Sequence, residues 1–259
     1  MIVLLPPSEG KTAPTTGSPL DLSSLSNPAL NPAREQVLES LIRLCDRTPR
    51  KARTVLALSS SQQAAVTENA ALATNAAAPA WQIYTGVLFG ALDFAGLTPA
   101  QRRRATKRLL VTSSLFGVVR FDDVIPAYRL SGDTTLPRLG RIDQFWRQHL
   151  GVALADEISD ELLIDMRSGT YVRFWPVPAS FASRTLTVKI WQLGPNGSRN
   201  AVSHHNKATK GELARLLAAA PSLPKGRSGL IDFLRDHDWD AQLGVDAKLG
   251  HDRLDVSID

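Results

Sequence analysis

The chain has one cysteine in 259 residues, and a lone Cys45 rules out an intramolecular disulfide as well as any zinc or iron–sulfur site built on several thiolates. It follows Leu41, Ile42 and Leu44 in an apolar helical stripe, where a thiol packs as a small hydrophobe. No stretch approaches 18 uninterrupted apolar residues, so no membrane span is expected. The apolar start MIVLL lacks a basic flank and is too short for the core of a signal peptide, which leaves the cytoplasm as the expected compartment. G-x-S-x-G, H-E-x-x-H and paired cysteines are all missing. His204-His205 have no carboxylate or cysteine at ligand spacing, and Asp236-His237-Asp238 reads as the polar exit of a helix. Neither a metal nor a cofactor is expected.

With 43% hydrophobic and 21% charged residues, the chain has enough apolar material for a large core. Without an internal repeat or a clean linker, residues 1–259 read as a single domain. Charge is concentrated. Residues 98–147 hold ten Arg and Lys against four Asp, a net of +6, while the whole chain carries +5. Such a tract is the footprint of a phosphate-backbone binder or a solvated helix face.

Residues 1–12, MIVLLPPSEGKT, run from a buried strand into a polar turn carrying Ser8, Glu9, Lys11 and Thr12. Gly10-Lys11-Thr12 matches the end of a P-loop, but Leu5 stands where the first glycine belongs, and Glu9 brings negative charge where a phosphate would sit. A nucleotide P-loop is therefore rejected.

Residues 13–32 read as a surface loop, ending where Asn31 is expected to cap a helix with Pro32 at its first position, the helix running to about Cys45. A short strand is expected at 54–58, an alanine-rich helix at 62–73 and a break at Pro79. Thr98 and Gln101 form a capping-box pattern, predicting a helix over 99–108 with Arg102, Arg103, Lys107 and Arg108 on its outer surface. Strands are expected at 109–112, 162–166 and 185–193, with Pro195-Asn196-Gly197 turning the last into an antiparallel return near 200–204. Helices are expected at 143–158, 207–219 and 229–236. The elements mix without a strict βαβ rhythm, which favours a mixed α/β or α+β fold over a Rossmann fold.

Six collinear segments resemble the peroxide stress protein YaaA family. They are PPSEGKT at the start, YTGVLFGALDF (84–94), SSLFGVVRFDDVIPAYRL (113–130), DQFW (143–146), LLIDMRSGTYV (162–172) and SHHNKATKGELARLL (203–217). The resemblance implies a bacterial cytosolic protein with one unusual mixed fold, tied to oxidative stress and to DNA binding through a helix-hairpin-helix-like element at 113–119. There Gly117 matches the second turn glycine of the family and Ser114 replaces the first. The resemblance offers Gly117, Lys207, Lys210 and Arg215 as DNA contacts, and the basic tract adds Arg102, Arg103, Lys107 and Arg108 as phosphate contacts. Family positions at Tyr84-Thr85-Gly86 and Tyr128-Arg129 pair aromatic rings with a hydroxyl and a guanidinium, suited to stacking on a base while binding phosphate. Ser8, Lys11, Thr12, Ser168 and Tyr171 complete a candidate pocket. If the protein is an enzyme, its ligand is expected to be a nucleobase or nucleotide, with Lys11, Lys207, Tyr128 and Arg129 as catalytic candidates.

Overall fold

Strand β1 (Ile2–Leu5) has every residue buried, as its unbroken apolar run requires of a strand covered on both faces. A computed structural model describes residues 1–194, 198–201, 205–246 and 251–258. Beyond the polar loop, helix α1 (Asn31–Arg47) buries Val37, Leu41, Leu44 and Cys45 along one stripe. Asn31 is the first helical residue; its amide bonds the Leu22 carbonyl, and its side-chain oxygen accepts from Arg34. Helices α2 (Pro49–Val55) and α3 (Ala64–Ala70) follow. The strand expected at 54–58 is instead the end of α2 and the turn after it, because packing of Ala52 against the core overrides the β preference of Thr54-Val55.

Next come β2 (Ala78–Pro79), α4 (Ala80–Ile83), α5 (Val87–Leu92) and α6 (Pro99–Arg108). The capping box at Thr98 and Gln101 is present on both sides. Strands β3 (Leu109–Ser113) and β4 (Gly117–Arg120) precede the short β5 (Val124–Ile125), β6 (Thr135–Leu136) and β7 (Gly140–Arg141). After α7 (Ile142–Ile158) come β8 (Leu163–Asp165), α8 (Ala179–Ala182), β9 (Thr185–Leu193) and β10 (Arg199–Ala201). Helices α9 (His205–Ala219) and α10 (Arg227–Arg235), then β11 (Asp240–Asp246) and β12 (His251–Ile258), complete the described chain. The expected turn at Pro195-Asn196-Gly197 and the end of its return, residues 202–204, lie outside the described residues, as does His204.

The main sheet runs β11-β12-β9-β8-β1-β3-β4, with β10 beside β9. Its inner strands β12, β9, β8, β1 and β3 are parallel, and β4, β10 and β11 pair antiparallel. This is the mixed α/β architecture expected. A second element that differs is the segment at 113–119, which is a β-hairpin joining β3 to β4 and not a helix-hairpin-helix. Leu115 and Phe116 are fully buried, and the indole nitrogen of Trp146 donates to the Ser114 carbonyl at 2.8 Å. Buried Arg34 donates to the Phe116 and Val118 carbonyls. Gly117 has φ +76°, and a Cβ there would lie 2.7 Å from the Trp146 ring. Its glycine is required by core packing beneath the turn, where a DNA phosphate cannot approach.

Candidate functional site

Strand β1 lies between β3 on one side and β8 on the other, so the chain leaves its carboxyl end at a switch point of the sheet. Loops at that edge diverge and leave a crevice, the usual place for a ligand in sheets of this kind. Three segments meet there: the turn after β1, Ser113 ending β3, and Asp165 ending β8.

The turn is stitched to residues 83–85. Thr12 N–H donates to the Ile83 carbonyl at 3.0 Å, Lys11 and Tyr84 form a bridge, and Thr85 N–H donates to Ser8 Oγ at 3.1 Å. These contacts turn Lys11 inward while the Thr12 side chain stays exposed. The Lys11 amine donates to the Ser8 carbonyl at 2.8 Å and sits 4.2 Å above the centre of the Tyr128 ring, with Tyr84 at 5.5 Å. The Tyr128 hydroxyl bonds Ser113 Oγ at 2.8 Å and the Tyr84 hydroxyl at 3.1 Å, so both rings are held in place. Burial, then the nearby positive charge of Arg129, lower the Lys11 amine to about 7, against partial opposition from Glu9. Burial raises the phenols of Tyr84, Tyr128 and Tyr171, so they stay protonated at neutral pH.

Arg129 donates to the Glu9 carbonyl at 3.2 Å and lies 3.8 Å from its carboxylate. Its backbone is held on both sides by buried Asn69, at 2.8 and 2.9 Å. Lys210 enters from α9 and donates to the Met166 carbonyl at 3.2 Å; burial lowers its amine to about 8, with Asp165 opposing. Asp165 and Arg167 form a buried bidentate pair at 2.7 and 2.9 Å, and Arg167 also donates to the Tyr171 and Trp175 carbonyls. That pair holds the wall carrying Ser168 and Tyr171.

The resulting cleft has two lobes. One, of about 580 Å³, is lined by Lys11, Arg129, Ser131, Asp133 and Thr134. The other, of about 700 Å³, is lined by Thr85, Gly86, Ser168, Lys207 and Lys210. Ser8, Glu9, Ser131, Asp133 and Tyr171 border both. Of the pocket residues expected from the sequence, Ser8, Lys11, Thr85, Gly86, Arg129, Ser168 and Tyr171 line the cleft, buried Tyr84 and Tyr128 form the floor under Lys11, and exposed Thr12 lines neither lobe.

Of the expected DNA-contacting cations, Lys207 and Lys210 line the cleft, while Arg102, Arg103, Lys107, Arg108 and Arg215 lie elsewhere, and three of these five are occupied. Arg102 donates to the Leu97 carbonyl, Arg104 to Ala219, and Arg108 to Leu217, Ala218 and Ala220, closing the carboxyl end of α9. Arg215 caps α5 through the Leu92 carbonyl and pairs with Asp93. Arg103 and Lys107 are exposed. The charge count treats a capping arginine and a solvated one alike, which is why the tract promised more free cations than the fold leaves.

Sequence reasoning missed Ser113, Asn69, Asp133 and the Asp165–Arg167 pair. Of these, Asp165 left a readable signal: a carboxylate ending an apolar strand, with an arginine two residues on. Among the described residues, no group of His, Cys, Asp and Glu could hold a metal ion. None of the described helices is long and apolar enough to cross a membrane.

Fold and site together define a mixed α/β protein with a lysine-bearing cleft at the carboxyl edge of its parallel strands. The family model for the peroxide stress protein YaaA matches residues 1–222, and the chain belongs to that family, which supports a stress-related role. It is 44% identical over its full length to a UPF0246 protein of Streptomyces coelicolor, covering 98% of that relative. A UPF0246 protein of Corynebacterium efficiens is 43% identical over 91% of this chain and 92% of its own. One of Corynebacterium glutamicum is 41% identical over 84% of this chain and 85% of its own.

Proposed function

We propose that this stress-family protein works through the cleft, as an enzyme on a nucleobase- or nucleotide-class ligand, with Lys11 as the reacting amine. The observation that carries this reading is the placement of Lys11: a desolvated amine on a tyrosine face, beside a guanidinium, with a single hydrogen bond to a carbonyl. Arg129, Lys207 and Lys210 supply positive charge for phosphate, and the partly exposed Tyr171 ring borders both lobes for a base to stack on. Lys11→Met should lower turnover by at least about 100-fold while leaving thermal stability unchanged or higher, since it removes a charge that burial disfavours. Steady-state kinetics against a nucleotide and nucleobase panel, beside a thermal melt, measure both. Turnover that survives Lys11→Met ends the assignment.

A second reading, contact with DNA, rests on exposed Arg103 and Lys107 of α6 and exposed Lys207 of α9. Reversing the charge of Arg103 and Lys107 should weaken DNA binding and flatten its salt dependence by about two phosphate contacts. Fluorescence anisotropy with duplex and single-stranded DNA at several salt concentrations reads this. An unchanged slope would remove α6 from any DNA interface.

A further inference from the structure

We infer that Lys11 is an amine nucleophile that forms an imine with a phosphorylated aldehyde or ketone of sugar size, held in the lobe it shares with Arg129. This rests on the reading above that Lys11 is the reacting amine of the cleft, and it places the reaction on the sugar-phosphate part of a nucleotide from which the base is absent.

Proton abstraction needs no lysine here. Glu9 and Asp133 already present carboxylates to the same lobe. What an amine adds is the ability to bond covalently to a carbonyl carbon. The surroundings suit that role. Among the described residues, no carboxylate pairs with Lys11, and Glu9 is turned to Arg129. The Tyr128 ring beneath the amine is fixed by the hydroxyls of Ser113 and Tyr84, so the nitrogen is confined to one wall. Desolvation and a second cation lower the Lys11 amine to about 7, so near neutral pH a sizeable fraction is the neutral amine, the form that attacks.

The ligand's chemistry follows from the other lining groups. Arg129 has guanidinium donors beyond the one on Glu9 and matches a phosphate. Ser131, Thr134 and Thr135 border the lobe with hydroxyl-bearing side chains, matching the hydroxyls of a sugar.

In the reaction, the Lys11 nitrogen lone pair forms a C–N bond to the carbonyl carbon, and the C=O π pair moves to oxygen. That oxygen takes up a proton while nitrogen loses one, giving a carbinolamine. A second proton on oxygen lets the C–O bond break, so that amine and carbonyl become imine and water. Solvent and the Glu9 and Asp133 carboxylates carry the protons.

Two compounds share this chemistry: free ribose 5-phosphate, and the ring-opened sugar of an abasic site in single-stranded DNA. The test incubates the full chain with each, in the presence of sodium cyanoborohydride, followed by intact mass and peptide mapping. The expected result is one reduced adduct per chain, on Lys11, formed about 100-fold faster than on an exposed lysine such as Lys51. Lys11→Met and Lys11→Arg should both lose it, and Lys51→Met should keep it. An adduct from only one of the two compounds identifies the source. Labelling spread over surface lysines and unchanged in Lys11→Met and Lys11→Arg overturns the inference. Calorimetry without reductant separates the two levels of the argument: ribose 5-phosphate or AMP binding that is weakened by Arg129→Ala, without trapping by either compound, removes the imine and keeps the cleft. No binding of either ligand and no trapping removes both.

Discussion

Arg167→Met should destabilise the protein by about 3–5 kcal/mol at neutral pH, because it strands the Asp165 carboxylate in the interior. Asp165 is 2% exposed and the Arg167 side chain is fully buried, so water cannot replace the lost partner. Burial by itself would push the carboxyl up; the charge and hydrogen bonds of Arg167 outweigh it and hold Asp165 below the usual carboxylate range. Its folded value is thus below its unfolded one. The pair's contribution is present above the unfolded carboxylate value and lost as pH falls through the folded one. In the variant that relation reverses. The backbone N–H of residue 167 and the charge of Lys210 still face the carboxylate, but with the guanidinium gone burial raises Asp165 and a proton can relieve it, so the deficit should shrink toward acid pH. Urea unfolding from neutral to acid pH measures both the size and the trend. A deficit under about 1 kcal/mol at neutral pH would show that the pair does not hold this wall. Replacing both partners with apolar residues should recover much of the loss.

Gly211→Ala should be nearly as damaging, and should reach the cleft as well as stability. A Cβ at Gly211 would lie 2.2 Å from the Leu88 carbonyl oxygen and 2.8 Å from the Ala91 Cβ, both on α5. Neither is the end of a flexible side chain, so the helices themselves must separate, at about 1–3 kcal/mol or more. Helix α9 carries Lys207 and Lys210, and α5 begins directly after Gly86, all of which line the larger lobe. Ligand affinity should therefore fall at temperatures where the variant is still folded. Calorimetry below its melting transition, paired with the melt, reads this; unchanged affinity in a folded Gly211→Ala protein would exclude a role for the spacing of α5 and α9 in the cleft.

Strong local signals were legible. The unbroken apolar runs of β1 and β3, the alternation of β9 and the capping box of α6 each depend on neighbouring residues alone, and each formed at the expected place. Strand β12 escaped notice because Asp252, Arg253 and Asp255 interrupt its apolar character. They are accommodated by ion pairs to Arg227 and within the strand, and by the Trp191 indole, partners that local periodicity does not reveal. The β-hairpin at 113–119 carries the glycine of a phosphate-binding turn, yet that glycine answers to Trp146, about thirty residues away along the chain.

By itself the sequence determined the mixed α/β class, the family resemblance and the polar residues available for chemistry, since these follow from composition, short-range pattern and matching segments. Only the tertiary structure decided which of those residues share a cleft and which cations are free. Convergence of residues 8–11, 84–86, 128–129, 168–171 and 207–210 comes from the order of parallel strands and the crevice left at their carboxyl ends. The fate of Arg102, Arg108 and Arg215 was decided by helix-end carbonyls that needed donors, a demand that exists only once the helices are placed.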